Sequence, residues 1–210
     1  MLELSGAILT GGADSAMEIV LYPHPALRRV ARPVAAVTDA VRQVAQEMIA
    51  LMEQAEGLGL AANQVALPIR LFVVSAAVDP WGEQKPRVFI NPEIVRREGQ
   101  SVREEGCLSL PGLYAEVARA ERILVRAQNE EGEAFELELE DLAARVVQHE
   151  WDHLRGILFI DRLMPTVLRR LLPQIRALER EYRRRQQAGE LPSDQELERL
   201  LGEATAAYAR

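Results

Sequence analysis

The heptapeptide Gln148-His149-Glu150-Trp151-Asp152-His153-Leu154 places two of the chain's three histidines four residues apart. In a helix, positions i and i+4 lie one turn apart on one face, so both imidazoles can reach a single metal ion. The spacing therefore asks for a helix here, held against whatever supplies the remaining ligands. Glu150 falls beside such an ion rather than on it, where a carboxylate can take a proton from water activated by the metal. The competing reading is a solvated helix that happens to carry two histidines, and the rest of the chain must decide between them.

The only other soft ligand is Cys107, the single cysteine of the 210 residues. It lies in Glu105-Gly106-Cys107-Leu108-Ser109-Leu110-Pro111-Gly112, where the chain must turn sharply on both sides of the thiol. His24 stands between two prolines with no partner at metal spacing, which suits a structural role. Cys107, His149 and His153 thus form a three-ligand set. Structural zinc sites close four protein ligands around the ion, whereas catalytic sites leave one position open. A thiolate with two imidazoles selects transition ions such as zinc, ferrous iron, cobalt or nickel over magnesium or calcium.

A chain of this length suits one domain, or one domain with an appendage, and buries enough core that a metal is not required merely to fold it. One cysteine excludes an internal disulfide and fits a reducing compartment, so the expected location is the cytoplasm. The formal charge of -7 argues against general nucleic-acid binding and against specific DNA recognition. No apolar run approaches membrane-spanning length.

Patterned sequence begins near Ile19. From Thr38, a natural N-cap, the spacing of Val41, Val44, Met48, Leu51, Met52 and Ala55 predicts an amphipathic helix ending near Glu56. Gly57-Leu58-Gly59-Leu60-Ala61-Ala62-Asn63-Gln64 then reads as a helix stop and a tight packing turn, with no phosphate fingerprint. Ile69 to Ala76 reads as a strand, Asp79-Pro80-Trp81-Gly82 as a surface loop, and Arg87 to Arg97 as a strand interrupted at Asn91-Pro92. Ile123, Val125 and Ala127, a turn over Asn129 to Gly132, and Phe135, Leu137 and Leu139 alternating with glutamates predict a hairpin with one wet face. Asp141 is the expected cap of the His-bearing helix, Gly156 its stop, and Leu142, Val146, His149 and His153 its inward stripe. Val167 to Arg185 reads as an Arg-rich helix, followed by a polar break and a short acidic helix. The expected fold is α+β, with small antiparallel sheets packed around a central metal-binding helix and a C-terminal helical extension.

Taken together, GLGLAANQ at Gly57 to Gln64, EGCLSLP at Glu105 to Pro111 and QHEWDHLRG at Gln148 to Gly156 resemble, in order and separation, the peptide deformylases. Leu21 to Arg28 is similar to that family's N-terminal region, so the likeness runs from about Ile19 to about Met164. Asn63 falls at a variable motif position, and Ala118 stands where the family often has proline. The resemblance implies removal of the formyl group from N-formylmethionyl nascent peptides, with release of formate. It also implies one divalent transition metal, ferrous iron as the native ion, with zinc or nickel able to substitute. Glu150 then serves as general base and acid, and the resemblance assigns oxyanion donors to the Gln64 side chain and the Leu108 backbone N–H. The expected substrate contacts are Gly57, Leu58, Gly59, Glu105, Leu142, Arg145 and Val146. Leu58, Leu142 and Val146 are expected to wall the methionine pocket, with Arg145 at its border facing solvent. Glu105 also admits a second reading, as a core carboxylate paired to Arg119.

This organisation divides the chain into an N-terminal extension over 1–18, dispensable in expectation, a catalytic domain over 19–164 and a helical tail over 165–210. In the tail, Arg162, Arg169, Arg170, Arg176, Arg180, Arg183, Arg184 and Arg185 oppose few acids in an acidic chain, which suits either a solvated helix or docking on ribosomal RNA. Two other function classes fit parts of the pattern. A broader zinc peptidase would draw its third ligand from downstream, whereas Cys107 lies upstream; a non-catalytic metal-binding or ribosome-associated protein would have no use for Glu150 and Gln64.

Overall fold

A computed structural model describes residues 17–78 and 82–209. The expected extension before Met17 and the loop at Asp79-Pro80-Trp81 lie outside the described residues. In chain order the elements are α1 (Asp39–Gln54), β1 (Gly59–Ala61), β2 (Leu71–Val74), β3 (Arg87–Glu98), β4 (Ser101–Glu105), β5 (Ala115–Arg119), β6 (Arg122–Gln128), β7 (Ala134–Glu140), α2 (Asp141–His153), α3 (Pro165–Gln187) and α4 (Asp194–Ala206), with short 3-10 turns at Pro25–Arg28, Ala62–Val65 and Phe159–Arg162 among them.

Five strands form one antiparallel sheet in the order β1-β2-β3-β6-β7, and β4 pairs with β5 as a separate two-stranded sheet. The strand at Leu71–Val74 is buried at every position because the large sheet is covered on both faces there. Phe72, Val74 and Phe89 pack with Ala143, Ala144 and Val147 of α2, and with Leu154 just after it, on one face. Leu71, Val73, Val88 and Ile90 pack with Val41, Val44, Met48 and Met52 of α1 on the other. Thr38 caps α1 through its side chain, as expected. The β4–β5 sheet lies over another side of α2, since Arg145 donates to the Val117 and Ser101 carbonyls. The His-bearing helix is therefore clasped between two sheets, and the expected α+β architecture holds.

Several local expectations change. The interruption expected at Asn91-Pro92 is present, and Asn91 makes it without ending the strand. It takes a left-handed φ of 50° inside a register shift of β3, and its amide accepts from the Val34 N–H at 2.8 Å and donates to the Val34 carbonyl at 3.0 Å, standing in for a strand partner. Asp141 does not cap α2; Glu140 occupies the cap position, and the Asp141 carboxylate pairs with Arg103. Gly156 does stop α2. The Gly156 N–H reaches the His153 carbonyl and the Ile157 N–H reaches the Asp152 carbonyl, a Schellman pair in which Gly156 holds φ at 70°. A Cβ there would strike the Arg28 carbonyl.

The C-terminal segment is folded into the body. Ile175 of α3 packs with Leu110, Leu113 and Phe159, and Tyr22 donates to Glu179. In α4, Leu201 packs on Ala26 and Ala66, while Ala209 and Tyr208 join the α1 side of the core. An Arg29–Glu198 ion pair and an Ala35 N–H to Tyr208 carbonyl bond add to the seam.

Candidate metal centre

Cys107 sits in the link between β4 and β5, where the Leu110 N–H bonds back to the Cys107 carbonyl and turns the thiol towards α2. His149 and His153 come from consecutive turns of α2. The Cys107 Sγ lies 3.3 Å from His153 Nε2, which lies 3.3 Å from His149 Nε2, and the three ligand atoms fall within 4.8 Å of one another. Donors placed tetrahedrally about one ion at ordinary metal–sulfur and metal–nitrogen lengths stand ~3.3–3.6 Å apart, so the set is close to ligating geometry before any ion arrives.

The charges around the ligands also fit a cation. Glu105 Oε2 lies 3.0 Å from His149 Nδ1. A carboxylate only accepts, so Nδ1 carries the proton and Nε2 keeps its lone pair for the metal. Burial acts to lower the His149 pKa, yet hydrogen bonds to Cys107 and Glu105 and the charge of Glu150 outweigh it and push the imidazole up to about 10. His153, also buried and facing a charged His149, is held well below the usual range. The carboxylates of Glu105 and Glu150 thus make the surroundings of His149 favour a positive charge, which suits a cation at the three ligands.

Glu150 lies between the two histidines in sequence and is 3% exposed. Burial raises its pKa to about 7, and its Oε2 has no hydrogen-bond partner among the described residues. Gly59 lies directly against it: a Cβ there would come within 2.5 Å of Glu150 Oε1. The glycine expected to admit substrate backbone thus first makes room for this carboxylate. Gly57 has a packing role of its own, since a Cβ would meet Leu108 Cδ1 at 2.8 Å.

Gln64 is buried, and its Oε1 is fixed by the Ala61 N–H at 2.8 Å. That bond turns Nε2 towards Cys107 Sγ at 3.6 Å and the Ser109 hydroxyl at 3.2 Å, so a donor faces the site. The Leu108 N–H makes no intramolecular hydrogen bond among the described residues. Gln64 Nε2 is thus a donor facing the cysteine, and the Leu108 N–H follows Cys107 directly in the chain.

Two expected substrate contacts are placed elsewhere. Glu105 accepts from Arg119 through both oxygens, from Arg145 and from His149, all inside the protein. These partners outweigh burial and hold its pKa down to about 2. The reading of Glu105 as a core carboxylate is the one the geometry follows. Arg145 faces inward and is 4% exposed, because the β4–β5 sheet covers its side of α2 and supplies the counter-charge. Of the expected pocket wall, Val146 is buried, whereas Leu58 and Leu142 remain exposed. Leu142 is thus not part of the inward stripe.

Sequence reasoning missed Ser109, Asp152 and the partners of Asn63. Asn63 donates to the Ala26 and Arg29 carbonyls, locking the Gly-rich block onto the N-terminal turn. Asp152 receives Arg119 at 2.6 Å and also pairs with Arg162, extending the buried charge chain away from the histidines. Its position one residue before His153 and three after His149 was the available signal.

The profile of the family described as polypeptide deformylase matches residues 16–168. A peptide deformylase of Alkalilimnicola ehrlichii is 47% identical over 167 residues, 80% of this chain and 93% of that protein. One from Rhodopirellula baltica is 40% identical over 195 residues, 91% of this chain and 95% of that protein. Among solved structures, peptide deformylase 1B of Arabidopsis thaliana in complex with an inhibitor superposes with a TM-score of 0.76 at 39% identity, covering 84% of this chain and 96% of that one.

Proposed function

The chain belongs to the polypeptide deformylase family, and from that premise we propose how its own residues divide the work of removing the formyl group from N-formylmethionyl nascent peptides. The observation that carries the assignment is the convergence of Cys107, His149 and His153 beside a buried carboxylate, Glu150, with an unpartnered oxygen. A divalent transition ion on the three ligands supplies Lewis acidity, making water acidic enough to lose a proton near neutrality. We take ferrous iron as the native ion and zinc or nickel as substitutes.

Glu150 accepts the proton of the attacking water. The water oxygen adds to the formyl carbon, the C–N bond breaks, and Glu150 returns the proton to the methionine nitrogen as formate leaves. A carboxyl pushed to about 7 by burial can both take and give that proton near neutral pH. Gln64 Nε2 and the Leu108 N–H donate to the oxygen that becomes negative, and the Ala61 bond to Gln64 Oε1 keeps the amide from turning its acceptor inward. β1 is an edge strand, so an extended peptide can pair along it with its reactive end at Glu150, and the small Gly57-Leu58-Gly59 run keeps that edge open. Leu58, Leu142 and Val146 form the apolar contact for the methionine side chain.

The test is formate release from a formyl-Met peptide by anaerobically purified protein, beside an acetyl-Met control and Glu150→Gln. Turnover on the formyl substrate, with a fall of more than about a hundredfold in a variant that keeps its metal, is expected. Near-normal turnover by a metal-replete Glu150→Gln would remove the carboxylate from the mechanism.

A cytoplasmic location follows from a substrate that emerges during translation. The described residues hold no helix long and apolar enough to cross a membrane. For the ribosome, the supporting surface is narrower than the full set of tail arginines. Arg162 pairs with Asp152, Arg183 with Asp194, Arg184 with Glu181, and Arg185 with Glu190. Arg169, Arg176 and Arg180 remain exposed along one face of α3. Arg176→Gln with Arg180→Gln should weaken salt-sensitive co-sedimentation with ribosomes, and unchanged sedimentation would leave this face without that role.

A further inference from the structure

The link between β4 and β5 carries, besides the cysteine, a hydroxyl that none of the steps above uses. Ser109 is fully buried, and its Oγ lies 3.2 Å from Gln64 Nε2. The Ala61 N–H donates to Gln64 Oε1 at 2.8 Å, which settles which end of the amide is oxygen and which is nitrogen. The nitrogen donates, so the Ser109 oxygen accepts.

A single anchor does not hold an amide. The terminal torsion of a glutamine is broad, and a side chain tied only at Oε1 can swing its Nε2 through a wide arc. A second bond, at Nε2, fixes the plane. An amide nitrogen carries two hydrogens in that plane at a fixed angle, so a hydrogen committed to Ser109 dictates where the other points. That other hydrogen faces Cys107 Sγ at 3.6 Å. Sulfur is a weak acceptor, so the hydrogen remains available to an oxygen that gains charge nearby.

The hydroxyl is itself pinned. The Tyr22 N–H donates to the Ser109 carbonyl at 2.9 Å, and two residues earlier the Val20 N–H donates to the Gln64 carbonyl at 2.8 Å. A short stretch of the N-terminal segment thus spans both blocks and sets the distance between them. The anchor at Nε2 is therefore as fixed as the anchor at Oε1.

We propose that Ser109 is a positioning residue for the reaction: its hydroxyl holds one hydrogen of Gln64 Nε2 and thereby aims the other at the formyl oxygen. This rests on the reading of Gln64 as an oxyanion donor, and adds that the direction of the donor is set from the β4–β5 link.

The test is a double-mutant cycle on the metal-loaded full chain, comprising the parent, Gln64→Leu, Ser109→Ala and the double variant, with metal content and melting temperature measured beside formate release. Ser109→Ala alone should lower kcat about tenfold with KM within about twofold, because a misdirected donor is missed in the transition state and not in binding. In the Gln64→Leu background the same substitution should change kcat by less than about twofold, since no amide is left to aim. An equal fall in both backgrounds overturns the proposal and leaves Ser109 a packing residue. So does a Ser109→Ala chain as fast as the parent. Normal turnover by Gln64→Leu would instead remove the donor reading, and the positioning role with it. A second measurement stands apart from turnover. In the zinc-loaded chain with isotope-labelled glutamine, the Gln64 side-chain amide is identified by its disappearance in Gln64→Leu. Nuclear magnetic resonance should show one of its two hydrogens displaced downfield in the parent and moved back upfield in Ser109→Ala. A parent pair at the positions of a free amide overturns the proposal, whether or not the alanine variant folds.

Discussion

Glu105 and Glu150 are both buried within one site, and their surroundings push them apart: one is held down to about 2 by arginines and His149, the other raised to about 7 by burial. The first is held as an anion against an imidazole, and the second, on the mechanism proposed here, would exchange the proton, so that two carboxylates would have two jobs. His24 shows the same sensitivity away from the site. The residue is 8% exposed, its Nδ1 accepts from the Ala26 N–H, and burial lowers its pKa to about 4 despite the pull of Asp194. A histidine whose folded pKa lies below its unfolded value binds its proton more readily once unfolded, so stability falls as pH drops from about 6.5 and the loss is complete below about 4. That interval corresponds to about 3 kcal/mol. His24→Asn keeps an acceptor for Ala26 and cannot be charged. Denaturant titrations of the two proteins between pH 7 and 4 should therefore diverge, with the parent losing more, and parallel curves would contradict the assignment.

At the scale of elements, α1 and α2 end in the same pair of hydrogen bonds but fill the left-handed position differently. In α1 the Glu56 N–H reaches the Glu53 carbonyl, the Gly57 N–H reaches the Met52 carbonyl, and Glu56 takes φ of 53°. The sequence suggested glycine as the stop, yet Gly57 is reserved for its close packing on Leu108, and the strained position falls to its neighbour. Glu56→Gly should therefore stabilise the protein by about 1 kcal/mol, the left-handed penalty less the added freedom of the unfolded chain, measurable as a higher melting temperature. The same pair of helices shows what a sequence conveys. Thr38, the β6–β7 alternation and the metal spacing were legible because each is a local pattern with one physical meaning. The environments of Leu142 and Arg145 were not. Helical periodicity says which residues share a face, but not that a two-stranded sheet from forty residues upstream covers one of them and carries the carboxylate that lets an arginine be buried. Asp141 was misread for the same reason: its partner, Arg103, is remote in sequence.

For the whole molecule, the folded-back C-terminus changes what a truncation tests. Leu197 and Leu201 are buried and Tyr208 and Ala209 pack into the α1 side of the core, so α4 acts as part of the domain. Removing residues 190–210 should cost about 3–6 kcal/mol at ordinary values for burying leucine-sized side chains, with the exposed Arg29–Glu198 pair adding little. Calorimetry on the shortened chain checks this, and an unchanged melting temperature would mark α4 as a detachable tail. The proposed metal ligands also join distant parts of the chain, for Cys107 and His153 are separated by 46 positions. An ion shared between them closes that loop much as a disulfide of similar span would, a contribution of about 4 kcal/mol in the chain-entropy view. Chelation should accordingly lower the melting temperature of the intact chain, whether or not substrate is present, and readdition of the ion should restore it. On the proposed ligand set, metal supply would then govern how long each molecule survives as well as how fast it works, because a loosened chain is open to proteolysis, and a cell short of the ion would lose the protein itself.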